Sequence, residues 1–141
     1  MTIVVDASLA VKWIILEQDS DKARAFYAQF YKEMHAPDLL LVEAASSLVR
    51  RVNERKIAVE DATEGVSELT SRVSQAMHLH RITSIQTAAA AALAMAIGHP
   101  IQDCIYLALA DQLGCPLATS DIKFRDRVAD PARVKLLAEL V

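Results

Sequence analysis

The spacing of apolar residues changes repeatedly along the chain and marks out strands alternating with helices. Thr2 to Val5 is a short β-branched run with no periodic polar residue, the pattern of a strand buried on both faces of a parallel sheet. Asp19 to Lys32 predicts a helix, and Met34 to Ala36 a short strand ended by Pro37. Asp38 to Arg55 is helical: Leu39, Val42, Ser46, Val49 and Val52 share one side. Arg50, Arg51, Glu54 and Arg55 crowd its last turns, where cations suit the helix dipole. Glu60 to Ala76 predicts a second, more polar helix, and the alternation of His78 to Ile82 a strand. Thr83 and Gln86 have the spacing of a capping box at the head of an alanine-rich helix. Gly98 ends that helix, and Pro100 opens the next in its first turn, running to Leu113 before Gly114. Leu117 to Thr119 and Val134 to Leu137 complete the strands.

This alternation predicts an α/β fold, a three-layer α/β/α sandwich around a central, mainly parallel sheet of four to five strands. A chain of 141 residues suffices for one such domain, spanning 1–141, with a core of its own. Apolar residues make up 53% of it, which excludes a disordered chain. Gly65, Gly98 and Gly114 are too few and too scattered for a P-loop or a dinucleotide fingerprint. Cys104 and Cys115 cannot complete a zinc cluster unaided, and the N-terminus has no basic region of a secretion signal. Ala88 to Ile97 is uncharged but too short for a bilayer, and its seven alanines predict a buried or tightly packed helix. A cytoplasmic protein without membrane contact is expected. The net charge of −3 argues against a generally basic nucleic-acid binder.

Four carboxylates stand out. In an open parallel sheet, ligands bind beyond the carboxyl ends of the strands, where the strand order reverses. Asp6 directly follows the first strand and Asp121 follows Leu117 to Thr119, so both fall on that rim. Asp103 lies in the first turn of an otherwise apolar helix, and Glu43 between Leu41, Val42, Ala44 and Ala45. Each has a plain explanation: Asp6 and Asp121 as helix caps, Asp103 as a dipole partner, Glu43 on a solvated edge. Four acids aimed at one rim would nevertheless repel one another without a bound cation. A set of hard oxygen ligands suits Mg²⁺ or Mn²⁺.

The segments around these acids resemble a known family. Ile3-Val4-Val5-Asp6-Ala7-Ser8-Leu9-Ala10-Val11-Lys12-Trp13, Pro37 to Leu48, Ile101 to Ala110, and Leu117 to Phe124 match in order the four motifs of PIN-domain proteins. The likeness is specifically to the VapC ribonucleases of toxin–antitoxin pairs and covers nearly the whole chain. It implies a magnesium-dependent endoribonuclease, a type II toxin, usually homodimeric, with RNA as substrate and an antitoxin protein as partner. It implies Asp6, Glu43, Asp103 and Asp121 as the site. Asp6 and Asp103 would be principal metal ligands, with Asp121 on the same or a second ion and Glu43 on the attacking water. Ser8 and Thr119 are candidates for orienting hydrogen bonds to the rim aspartates. Ser46 and Ser120 depart from residues common in the family, Asn and Ala, and neither departure removes a carboxylate.

Other residues point elsewhere. His78 and His80 share one face of a predicted strand, but no third metal ligand is near them in sequence. His35 and His99 read as strand-end or loop residues, Cys104 as core, and Asp111, Asp126 and Asp130 as solvated or capping. Arg50, Arg51, Arg55 and Lys56 form a basic cluster able to meet phosphates. Phe26, Tyr27, Phe30 and Tyr31 span about 140° of a helix, from a step of roughly 100° per residue. They predict core plus a surface seam. From the resemblance, Trp13, Tyr27 and Tyr31 are candidates for a groove receiving an antitoxin helix. A receiver domain is excluded because Asp6 has no acidic neighbour, and a DxD phosphatase because position 8 is Ser8. A Mg²⁺-binding regulatory or scaffold module without nuclease activity is the alternative. Without the four site carboxylates the charge balance is +1, so the acidity is concentrated at the expected pocket.

Overall fold

A computed structural model describes all 141 residues. The order is β1 (Ile3–Val5), α1 (Ala7–Ile14), α2 (Ser20–Gln29), β2 (Met34–Pro37), α3 (Leu39–Asn53) and α4 (Val59–Ala76). There follow β3 (Met77–His80), α5 (Ser84–Ile97), α6 (Ile101–Leu113), β4 (Leu117–Thr119), α7 (Ile122–Val128), β5 (Val134–Leu136) and a 3₁₀ turn, Leu137–Glu139. The five strands form one sheet in the order β3-β2-β1-β4-β5, and every pairing is parallel. The first strand is therefore the central one. The chain builds outward through β2 and β3, then returns to the other side of β1 for β4 and β5. The reversal of order lies between β1 and β4, where a ligand crevice is expected.

The three layers follow from burial. All three residues of β1 and of β4 are buried, as strands covered on both faces require. Helices α1 to α4 pack on one another as a group, and α5 packs on α6, which lies against β1, β2 and β4. One apolar cluster joins the layers, with Trp13, Phe26, Tyr106 and Phe124 its largest fully buried side chains. No helix is long and apolar enough to cross a membrane.

Helix ends follow the local chemistry closely. Thr83 and Gln86 form the reciprocal capping box of α5. Gly98 and Gly114 close α5 and α6 at φ of 65° and 67°, a left-handed conformation that disfavours any residue with a Cβ. Pro100 precedes α6 instead of occupying its first turn, one position earlier than expected.

One expectation, the inward face of α3, needs correction, and the structure sharpens three others. Helix α1 has no counterpart in the periodic reading, because Leu9, Ala10, Val11 and Trp13 are all buried and leave little polar face to set a period. Helix α7 is the one expected to be capped by Asp121. The buried face of α3 is Leu40, Ala44 and Leu48, whereas Val42 and Val49 are 64% and 54% exposed. The helix is thus turned so that Glu43, Ser47 and Arg50 face the site. Helix α5 is tightly packed but not buried. Gln86, Ala90 and Ala94 make one narrow stripe against α6, and Ile85 and Met95 are exposed.

Candidate active site

The switch point carries the acids. Asp6 ends β1, and its backbone N–H donates to the Ala118 carbonyl of β4 at 3.3 Å. Its side chain caps α1 by accepting from the Leu9 N–H at 3.2 Å. The same oxygen, Oδ1, accepts from the Ser8 hydroxyl at 2.7 Å, and Oδ2 accepts from the Thr119 hydroxyl. Ser8 Oγ and Thr119 Oγ1 in turn accept from the Ser120 and Asp121 N–H groups at 3.2 and 3.0 Å. Asp121 caps α7 through the Phe124 N–H at 3.0 Å. Both aspartates are therefore caps as well as rim acids, so capping does not compete with a place at the pocket.

Asp6, Glu43, Asp103 and Asp121 line one pocket of about 320 Å³. The structure brings all four together with Ser8, while Thr119 lies buried beneath, bonded to Asp6. Burial, with a smaller contribution from the Asp103 charge, pushes the Asp6 carboxyl up to about 7 against the hydrogen bonds from Thr119, Ser8 and Leu9. Glu43 is also raised, first by burial and then by Asp103, with the Tyr106 hydroxyl opposing. Tyr106 is fully buried with its hydroxyl toward Glu43, and burial, then the Glu43 charge, raise its pKa. Lys12, Arg50 and Arg51 also line the pocket. Two of these cations are held by Glu17: Arg51 at 2.7 Å and Lys12 at 3.4 Å. Four converging carboxylates, two of them raised by burial, are an oxygen donor set that fits a hard divalent cation.

His99 belongs to this site, which sequence reasoning missed. Its Nε2 lies 2.5 Å from Asp103 Oδ2, and its Nδ1 lies 3.1 Å from Arg127 Nη1. Arginine only donates, so His99 Nδ1 accepts, and Nε2 carries the hydrogen that it donates to Asp103. Possible ligand atoms of His99, Asp103 and Asp121 lie within 4.8 Å of one another. With its Nε2 hydrogen in place, His99 orients Asp103 and leaves coordination to the carboxylates. The signal for it was four-residue spacing to Asp103 across a helix start, which the flanking Gly98 and Pro100 disguised as loop.

The sequence profile of the PIN domain matches residues 3–129. The chain belongs to the PIN-domain family. Its relatives include a ribonuclease VapC3 of Pyrobaculum aerophilum, 28% identical over 127 residues, covering 90% of this chain and 95% of that one. Among solved structures, the fold is similar to VapC20 of Mycobacterium tuberculosis, a toxin that cleaves the sarcin–ricin loop. That match has a TM-score of 0.69 at 16% identity and covers 91% of this chain and 94% of the other. It is also similar to a chain of VapBC2 from Rickettsia felis bound to promoter DNA, at TM-score 0.68, 15% identity and 96% and 98% coverage.

Two further expectations for this PIN domain change. Trp13 is 0% exposed, packed edge-on against Tyr27 at 4.9 Å, and so lies beneath any groove. Tyr27 and Tyr31 do line an open groove, opposite Glu64, Glu68 and Arg72 of α4. Tyr27 donates its hydroxyl to the Arg72 carbonyl at 2.9 Å. The basic cluster is split: Arg50 and Arg51 face the acidic pocket, whereas Arg55 and Lys56 lie past the end of α3, beside Ile57 and Val59.

Proposed function

We propose that this PIN domain is a metal-dependent endoribonuclease of the VapC type, the toxin of a type II toxin–antitoxin pair. Mg²⁺ is its working ion and Mn²⁺ a substitute. The supporting observation is the convergence of Asp6, Glu43, Asp103 and Asp121 on a pocket where Lys12 and Arg51 are paired with Glu17. Asp6, Asp103 and Asp121 are the residues that would hold the ion. When bound, the cation supplies Lewis acidity to the phosphodiester and acidifies water.

The chain's own groups do the positioning. Ser8 and Thr119 fix the Asp6 carboxylate, and His99 fixes Asp103. Glu43, raised by burial, is suited to take the proton of the attacking water on a carboxylate oxygen. Arg50, exposed at the pocket edge, is placed to meet a backbone phosphate of the RNA. The Tyr27–Tyr31 groove is the surface proposed for an antitoxin helix, and Tyr31→Ala should weaken antitoxin binding about tenfold by calorimetry. A homodimer draws support from the exposed apolar side chains Ile85 and Met95 on α5, and sedimentation velocity reads it directly.

The deciding experiment is cleavage of defined transfer and ribosomal RNAs. Chelator should abolish cleavage and Mg²⁺ or Mn²⁺ restore it, and Asp103→Asn should cost at least about 100-fold in rate. Cleavage that survives both chelation and Asp103→Asn sinks the nuclease reading.

A further inference from the structure

A second cluster of metal-competent side chains lies away from the carboxylates, at the β3 edge of the sheet. The register places His35 of β2 directly beside His78 of β3, and Pro37 beside His80. Paired residues of parallel strands point to the same face, and so do residues two apart on one strand. The fold therefore gathers His35, His78 and His80 on one face. His35 Nδ1 lies 2.8 Å from His80 Nε2, and the His35 and His78 rings stack with centroids 4.8 Å apart. The third imidazole that sequence spacing could not supply comes from the neighbouring strand.

We propose that His35, His78 and His80 form a binding site for a borderline divalent transition ion, Zn²⁺ above all, separate from the carboxylate pocket. Three imidazole nitrogens and an open fourth position are a donor set of Zn²⁺ chemistry and a poor one for Mg²⁺. The His35–His80 pair is near what binding needs, while His78 must turn its ring to bring a nitrogen to the other two. At Zn–N bonds of about 2.1 Å in a tetrahedron, the nitrogens sit about 3.4 Å apart, so the His35–His80 contact opens by roughly half an ångström. The ring that now donates in that contact moves its hydrogen to its other nitrogen and frees a lone pair. His78 is exposed, so it can turn out of the stack without disturbing the core. Burial and the neighbouring His78 and His80 hold the His35 imidazole pKa below its ordinary value, the direction that ligation by a neutral imidazole needs.

The bound ion would tie edge strand β3 to β2. The test uses untagged protein titrated with Zn²⁺ by calorimetry, with imidazole nitrogen resonances followed in parallel. We expect one equivalent bound with a Kd of about 10 µM or tighter, and shifts at these three histidines. His78→Ala and His80→Ala should each weaken binding at least tenfold, and Asp103→Asn should leave this equivalent intact. Melting without metal checks that the variants fold, and wild-type Tm should rise by about 5 °C on saturation. An affinity unchanged in both histidine variants overturns the proposal. So does saturation lost with Asp103→Asn, or no saturation by Zn²⁺ at all, which would leave the imidazoles as polar cover for an exposed edge.

Discussion

Asp6 serves two structures at once: it caps α1 and supplies an acid to the pocket. An ordinary cap sits in water and stays ionised. This one is buried and held near 7, so in metal-free protein its charge opposes the fold. The unfolded carboxyl gives up its proton near 3.8 and the folded one only near 7, so stability falls as pH rises through that window. Metal-free protein should accordingly melt lower at about pH 8 than at about pH 5, and Mg²⁺ should raise Tm more at the higher pH. Differential scanning calorimetry checks both, and Asp6→Asn should flatten the pH trend and diminish the Mg²⁺ gain. At this scale, the four carboxylates were legible because each interrupts an apolar pattern or ends a strand. His99 was not, because its partner is chosen by the three-dimensional turn between α5 and α6.

At the scale of elements, angular position decides what each helix shows. Along α2 and the turn that follows it, Phe26 and Phe30 are buried, Tyr27 is half-buried and Tyr31 exposed, the order a continued helical winding gives although the helix expected to reach Lys32 ends at Gln29. The aromatic arc was therefore readable from sequence. The face of α3 was not. Leu39, Val42, Ser46, Val49 and Val52 offer a good apolar stripe, yet α3 turns Leu40, Ala44 and Leu48 inward, because it must pack on α1 and α4 while presenting Glu43. Gly65 of α4 marks how close that packing is. A Cβ there would stand 3.0 Å from Ile14 Cγ2 and 3.2 Å from Leu48 Cδ1. Gly65→Val should destabilise the protein by about 2 kcal/mol through overpacking. Gly65→Ala should cost less, because alanine regains up to about 1 kcal/mol of helix propensity. Urea unfolding of the two variants separates these contributions.

For the whole molecule, charge placement matters more than net charge. The pocket lining gathers five acids against three cations, Arg50 among them, and so holds most of the −3 total. RNA binding should then depend on the divalent ion and on this local cation. Arg50→Ala should reduce the slope of log K against log salt by about 1, while Lys56→Ala, which alters a side chain outside the pocket and paired with Glu54, should leave it unchanged. Filter binding across a salt series reads both.

The strand order has a consequence in time as well as space. β1 is made first and sits in the middle, but its neighbour on the site side is β4, whose Thr119 meets Asp6 across 113 positions of chain. During synthesis the emerging polypeptide holds Asp6 and Glu43 long before Asp103 and Asp121 exist. The carboxylate cluster can close only after β4 has slid in beside β1. A ribosome carrying this unfinished chain is thus tethered to a nuclease that cannot yet cut, and truncation before β4 should yield a harmless product.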